Sequence, residues 1–151
     1  MNPPNEVTPA TLDEVPRLVE VWEASVRATH HFLAPGDVEV FRPLVRDALA
    51  SGAVMVGCVR DGAGAAVGFV AAAEGKVEML FIHPDQRGRG AGRALLRHAI
   101  DSMGATRVDV NEQNEQAVGF YLRMGFEVEG RSERDGMGKP YPTLHMRLAE
   151  R

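Results

Sequence analysis

Cysteine is nearly absent: Cys58 stands alone in 151 residues. One thiol makes no internal disulfide and no zinc site, so no metal is expected and a reducing cytoplasm suits the chain. Long apolar runs are missing as well, and no segment is long enough to span a bilayer. The N-terminus, MNPPNEVTPATLDE, has neither a basic start nor an apolar stretch of signal-peptide length, so a soluble cytoplasmic protein without a membrane partner is expected. Positive charge is in deficit, with 17 Lys and Arg against 21 Asp and Glu for a net charge of −4. That balance argues against a nucleic-acid partner, whose phosphate backbone demands a cationic face. Two nucleotide signatures also fail. GxxxxGK[ST] does not occur, and GxGxxG breaks at Arg93 when read from Gly88 and at Leu95 when read from Gly90.

What is present is enough apolar material for one core, 44% of the residues, in a length typical of a single domain over 1–151. The chain is organised around Phe81 to Met103. An apolar run, Val77 to Ile82, ends at His83-Pro84, crosses Arg87-Gly88-Arg89-Gly90-Ala91-Gly92 and enters a helix with Leu95, Leu96, Ala99, Ile100 and Met103 on one side. Three glycines in five positions allow positive φ and bring backbone N–H groups close to a ligand, while the helix start adds partial positive charge. Strand, glycine loop and helix together read as an anion site.

The loop fits [QR]-x-x-G-x-[GA] at Arg87, Gly90 and Gly92. It resembles the pyrophosphate-binding motif of the GCN5-related N-acetyltransferase (GNAT) family, which holds acetyl-coenzyme A there. A second stretch, NEQNEQAVGFYLRMGF from Asn111, is similar to the family's N-x-x-A-x-x-F-Y-x-x-x-G-F, met by Asn114, Ala117, Phe120, Tyr121, Gly125 and Phe126. The two stretches keep the family's order and cover about the C-terminal half. NEQNEQAVGFY, the later GKPYP and the upstream VRATHHFL are most similar to the YjaB-type branch, whose members are described as lysine N-acetyltransferases.

The rest of the chain reads in order as follows. Val7 belongs to a short first strand, and Thr11 to Glu14 form a capping box for a helix whose core stripe is Leu12, Val15, Leu18, Val19, Trp22 and Val26. Asp37 caps a second helix, with Val38, Phe41, Leu44, Val45, Ala48 and Leu49 inward and Gly52 as its stop. Val54 to Val59 and Val67 to Ala73 form a hairpin through Asp61-Gly-Ala-Gly64, with Cys58 as inert packing. Alternation along Val77 to Ile82 puts Glu78, Leu80 and Ile82 on one face and Val77, Met79 and Phe81 on the other. Phe126 to Arg131 and Thr143 to Leu148 are the last strands, with His145 packed in the second, and Asp135 to Pro142 is a loop between them.

An acceptor ammonium must lose a proton before it can attack a thioester, and a carboxylate on a half-buried strand has its pKa raised toward the useful range. Glu78 is the candidate base, directly or through water; the alternative is a solvated glutamate at the cleft mouth. The remaining roles are what the resemblance implies. Tyr121 would be the acid that protonates the departing thiolate, and Asn114 would cap its helix and also bond the coenzyme. Acetyl-coenzyme A would lie against Leu80, Phe81, Ile82, Arg87, Gly88, Arg89, Gly90, Ala91, Gly92, Arg93, Asn111, Asn114, Ala117, Phe120 and Tyr121, filling the gap where the central strand splays from Arg107 to Asn111. For Arg93 a solvated helix start is the alternative. His30, His31, Phe32 and Tyr141 are the substrate-contact candidates. The histidines could equally be solvated or cap a helix, and Tyr141 could simply pin its loop. The expectation is an α/β (α+β) GNAT fold: a twisted, mostly antiparallel sheet of six to seven strands flanked by helices. Its implied activity is acetyl-CoA-dependent transfer to an amine, a protein lysine or a small molecule, with CoA as product and a homodimer as the pairing usual in such families. The alternatives are a silent acetyl-CoA-binding sensor and an interaction module.

Overall fold

The computed structural model describes residues 5–29 and 33–150. In chain order the elements are β1 (Thr8–Pro9), a 3-10 turn (Leu12–Glu14), α1 (Val15–Thr29), α2 (Asp37–Ala50), β2 (Met55–Arg60), β3 (Ala66–Ala73) and β4 (Lys76–Ile82). A second 3-10 turn (Pro84–Gln86) leads to α3 (Ala91–Met103), β5 (Arg107–Asn111), α4 (Glu115–Arg123), β6 (Phe126–Ser132) and β7 (Thr143–Leu148). The seven strands form one sheet in the order β1-β2-β3-β4-β5-β7-β6. Every pairing is antiparallel except β4 with β5. The expected mixed α/β architecture is therefore found.

Helices cover both faces, which is why β3 is apolar along its whole length rather than alternating. Phe69 and Ala71 point to α1 and α2 and join Leu18, Val21, Trp22 and Val26. Val70 points to α3 and α4 and joins Leu95, Leu96, Ala99 and Tyr121. Leu95 is fully buried. It comes so near the sheet that a Cβ on Gly68 would lie 3.2 Å from its methyl, so the glycine sets how closely α3 can settle. Cys58 is fully enclosed, and burial pushes its thiol pKa up to about 11, the inert packing expected of it.

Four local expectations are corrected. Leu12 is 71% exposed because Leu12–Glu14 is a separate 3-10 turn and α1 begins only at Val15; Glu14 still accepts the Thr11 N–H at 3.0 Å. Asp37 does not cap α2, whose N-cap is Gly36; its carboxylate accepts the Ala34 N–H at 3.0 Å and the Tyr141 hydroxyl. Leu44 lies on the outer side of α2 and is exposed. The fourth concerns β4. Ala71 pairs with Met79 but Ala72 pairs with Val77, so Glu78 is an extra residue in a β-bulge. The bulge moves Val77 to the face of Leu80 and Ile82 and leaves Met79 and Phe81 on the α1 side.

Because α3 is seated through Leu95, Leu95→Ala should lower unfolding free energy by about 2–5 kcal/mol, the usual cost of emptying a core leucine site, as read from a urea titration.

Candidate active site

The bulge has a direct consequence for the neighbouring strand. β4 and β5 are paired only at Lys76 with Arg107 and Val77 with Val108, and beyond Glu78 they part. The gap is a cleft of about 470 Å³. On its β4 wall, the antiparallel register with β3 decides which backbone groups are free. His83 N–H donates to the Val67 carbonyl at 2.8 Å, and such pairs recur every second residue, so Phe81 and Met79 spend their N–H and C=O on β3. Leu80 and Ile82 direct theirs into the cleft.

One end of the cleft is the glycine loop. Gly88 and Gly90 have φ of 75° and 84°, a region open to glycine and strained for other residues. Gly92, expected to share that role, does not: it lies inside α3, and a Cβ there would meet Ile82 Cδ1 at 3.1 Å and the Phe120 ring at 3.5 Å. It lets the helix start sit against β4 and α4. The first N–H groups of α3 precede the first internal bond, Ala94 N–H to the Gly90 carbonyl at 3.1 Å, and so face outward with the helix dipole behind them. Arg87, Gly88, Gly90, Gly92 and Arg93 line the cleft; Arg89 and Ala91 do not. Ala91 is buried, and the Arg89 carbonyl accepts the Asn5 side-chain amide at 2.7 Å.

The far wall comes from β5 and α4. Asn114 caps α4 by accepting the Ala117 N–H at 3.2 Å, and Gly125, with φ of 97°, follows its end. Asn111, Asn114, Ala117, Phe120 and Tyr121 all line the cleft. The Tyr121 ring is wedged edge-on between Phe120 and Phe126 at 5.2 and 5.7 Å. Burial raises the phenol pKa well above its ordinary value, so the hydroxyl stays protonated through neutral pH. Glu78 lines the mouth but is exposed, not half-buried as alternation implied, because the bulge turns it away from the packed face.

The acceptor-side candidates separate. His30, His31 and Phe32 lie outside the described residues. Tyr141 does not line the cleft: it is buried, donating its hydroxyl proton to Asp37 and accepting the Ala34 N–H at 2.9 Å, while Lys139 Nζ lies 3.3 Å from Asp37. These bonds tie the loop before β7 to the start of α2. Nine lining residues were missed, four of them apolar, Val77, Met79, Val108 and Val110, and five of them polar, Ser25, Thr29, Asp109, Gln116 and Arg123. Ser25 had a signal, a polar residue on the apolar stripe of α1 three positions after Trp22. Asp109 had a weaker one, sharing the face of Asn111 in the alternation of β5.

Against this geometry the comparisons are consistent. Residues 28–148 match the acetyltransferase (GNAT) domain. The chain is 44% identical over 135 residues to the peptidyl-lysine N-acetyltransferase YjaB of Escherichia coli, covering 89% of this chain and 90% of that protein. The solution structure of apo YjaB from Escherichia coli superposes with a TM-score of 0.83 at 39% identity, over 97% of this chain and 98% of the other. The PaiA N-acetyltransferase of Thermoplasma acidophilum, solved with coenzyme A, shares the fold at a TM-score of 0.71 and 18% identity over 95% and 98% of the two chains. The chain belongs to the GNAT family of N-acetyltransferases.

Proposed function

We propose that the cleft binds acetyl-coenzyme A and that the protein transfers the acetyl group to a lysine side chain of a protein substrate. The observation that carries this is the cleft itself: unpaired backbone of Leu80 and Ile82 along one wall, the α3 N-terminus at one end and the Tyr121 phenol on the other wall. A pantetheine arm has the amides to complete β4 as a missing strand would, and a pyrophosphate matches the outward N–H groups around Gly88 to Arg93. Arg87 and Arg93 reach the same end, and Asn111, Asn114, Ala117 and Phe120 give the arm its opposite wall. The acceptor class rests on YjaB, a peptidyl-lysine N-acetyltransferase by name.

Bound acetyl-coenzyme A supplies an activated thioester. Glu78, directly or through a water it holds, takes one proton from the acceptor ammonium, and the freed amine forms the C–N bond at the thioester carbonyl. A cleft-facing backbone N–H of β4 donates to the carbonyl oxygen as negative charge gathers there; such a donor is worth about 2.7–4 kcal/mol. As the C–S bond breaks, Tyr121 gives its proton to the sulfur and regains one from the nitrogen through solvent. The products are an acetylated amine, free coenzyme A and one proton. Holding amine and thioester side by side supplies the rest of the rate.

The reading is tested by thiol release from acetyl-coenzyme A with lysine peptides and small amines, alongside calorimetric titration of coenzyme A. Turnover with the peptides supports it, tight coenzyme binding without turnover points to a sensor, and absence of binding overturns the cleft assignment. Tyr121→Phe keeps the ring contacts and should lower kcat about 10²- to 10⁴-fold while leaving coenzyme affinity unchanged; unaltered turnover removes Tyr121 from the acid role. Glu78→Gln should lower kcat/KM about 10²- to 10⁴-fold, the usual contribution of a general base. If turnover is kept, water or another group is the base.

A further inference from the structure

A row of hydrogen bonds crosses four strands and enters the cleft at one residue. Lys76 Nζ on β4 donates to Asp109 Oδ2 on β5 at 2.6 Å. His145 Nδ1 on β7 lies 2.7 Å from Asp109 Oδ1, and its Nε2 lies 2.7 Å from Ser132 Oγ on β6. Asp109 and His145 are directly opposed in the β5–β7 register, so the pairing follows from the sheet rather than from flexible reach. Asp109 lines the same cleft as Glu78, and the acetyl-transfer mechanism makes no use of it.

The two carboxylates at the mouth sit in different surroundings. Partial burial pushes the Asp109 carboxyl pKa up, but the bonds from Lys76 and His145 more than offset this and hold it below the ordinary value. A carboxylate so held is a poor proton acceptor and a good fixed anion. Two oxygens offer about four lone-pair sites, and Lys76 and His145 take one on each, leaving one on each for a third donor. Because a carboxylate only accepts, Nδ1 carries the proton that bonds Asp109. The neutral ring then accepts the Ser132 hydroxyl proton at Nε2, whereas the imidazolium donates there.

We propose that Asp109 orients the acceptor, receiving a hydrogen bond from the incoming ammonium while Glu78 handles its proton, and that His145 is a positioning residue acting through Asp109. This rests on the amine-acetylation reading above. It follows that removing the His145 ring leaves the Asp109 carboxylate held from one side only and weakens acceptor binding. The other charges facing His145 are accounted for. The strands packed against β7 are β5 and β6; β5 presents Asp109 and Arg107, and β6 presents Glu127 and Glu129, which pair with Arg147 at 2.9 Å and Arg107 at 3.7 Å. Lys76 completes the row from β4.

The test is steady-state kinetics of the full chain with two acceptors, a lysine peptide and an amine of low basicity that is uncharged at the assay pH. Asp109→Asn should raise the KM for the lysine peptide about tenfold or more, the usual loss for one hydrogen bond to a charged group. The KM values for acetyl-coenzyme A and for the neutral amine should not change. His145→Ala should raise the lysine-peptide KM in the same direction, whereas His145→Gln, whose side-chain amide can donate to Asp109 and accept from Ser132, should keep it near the parent value. An unchanged peptide KM in Asp109→Asn, or an equal loss with the neutral amine, overturns the proposal, as does an unchanged peptide KM in His145→Ala. If Asp109→Asn fails to fold, the His145→Ala and His145→Gln pair decides alone. A parent inactive with every amine overturns the acetyl-transfer reading itself, an outcome distinct from an active parent whose variants behave alike.

Discussion

The site depends on one rupture in the sheet. Two parallel strands that stay paired over their whole length would satisfy each other's backbone and leave nothing for a ligand. Here β4 and β5 pair at two positions and then part, and the parting begins where Glu78 is inserted as a bulge. A bulge bends its strand and increases the local twist. The Leu80 and Ile82 backbone groups are thereby left without a strand partner, a cost that a ligand with amides of its own can offset.

The rupture is stable because side chains hold the walls apart from below. Val77, Leu80 and Ile82 of β4 and Val108 and Val110 of β5 share one apolar cluster with Leu95, Leu96, Phe120 and Tyr121. α3 and α4 thus fill the space under the gap and fix both walls to one packed layer. Gly92 allows the helix start to reach β4, so the outward-facing N–H groups of α3 and the open strand edge belong to one packed corner. On the opposite side α1 and α2 back β2 to β4, while polar and charged side chains of β5, β7 and β6, among them Asp109 and His145, form the sheet face beyond them. The cleft thus borders a polar sheet face on one side and an apolar packed layer on the other.

Within this frame the two carboxylates at the mouth are unlike each other. Glu78 is exposed on a bulge, whereas Asp109 is fixed by bonds from two neighbouring strands. Environments of this kind divide roles between chemically similar groups. Tyr121 differs from both: packed among aromatic rings, its phenol keeps its proton through neutral pH.

The sequence by itself determined the elements whose signals are local: the glycine loop opening α3, the Asn114 cap of α4, the alternating strands and the apolar β3 between helix layers. These rest on backbone torsion, capping and burial, which neighbouring residues dictate. Tertiary structure decided what depends on pairing between distant strands. Alternation along β4 could not show the bulge, because the extra residue is defined only against Ala71 and Ala72 on β3, and so Glu78 read equally as a half-buried base or a solvated group at the cleft mouth until the bulge left it exposed. In the same way Tyr141 read either as a substrate contact or as a pin for its loop, and the fold chose the second by bringing Asp37 to its hydroxyl. Asp109, His145, Ser132 and Lys76 are scattered along the chain and become one row only through strand order and register, which no local propensity encodes.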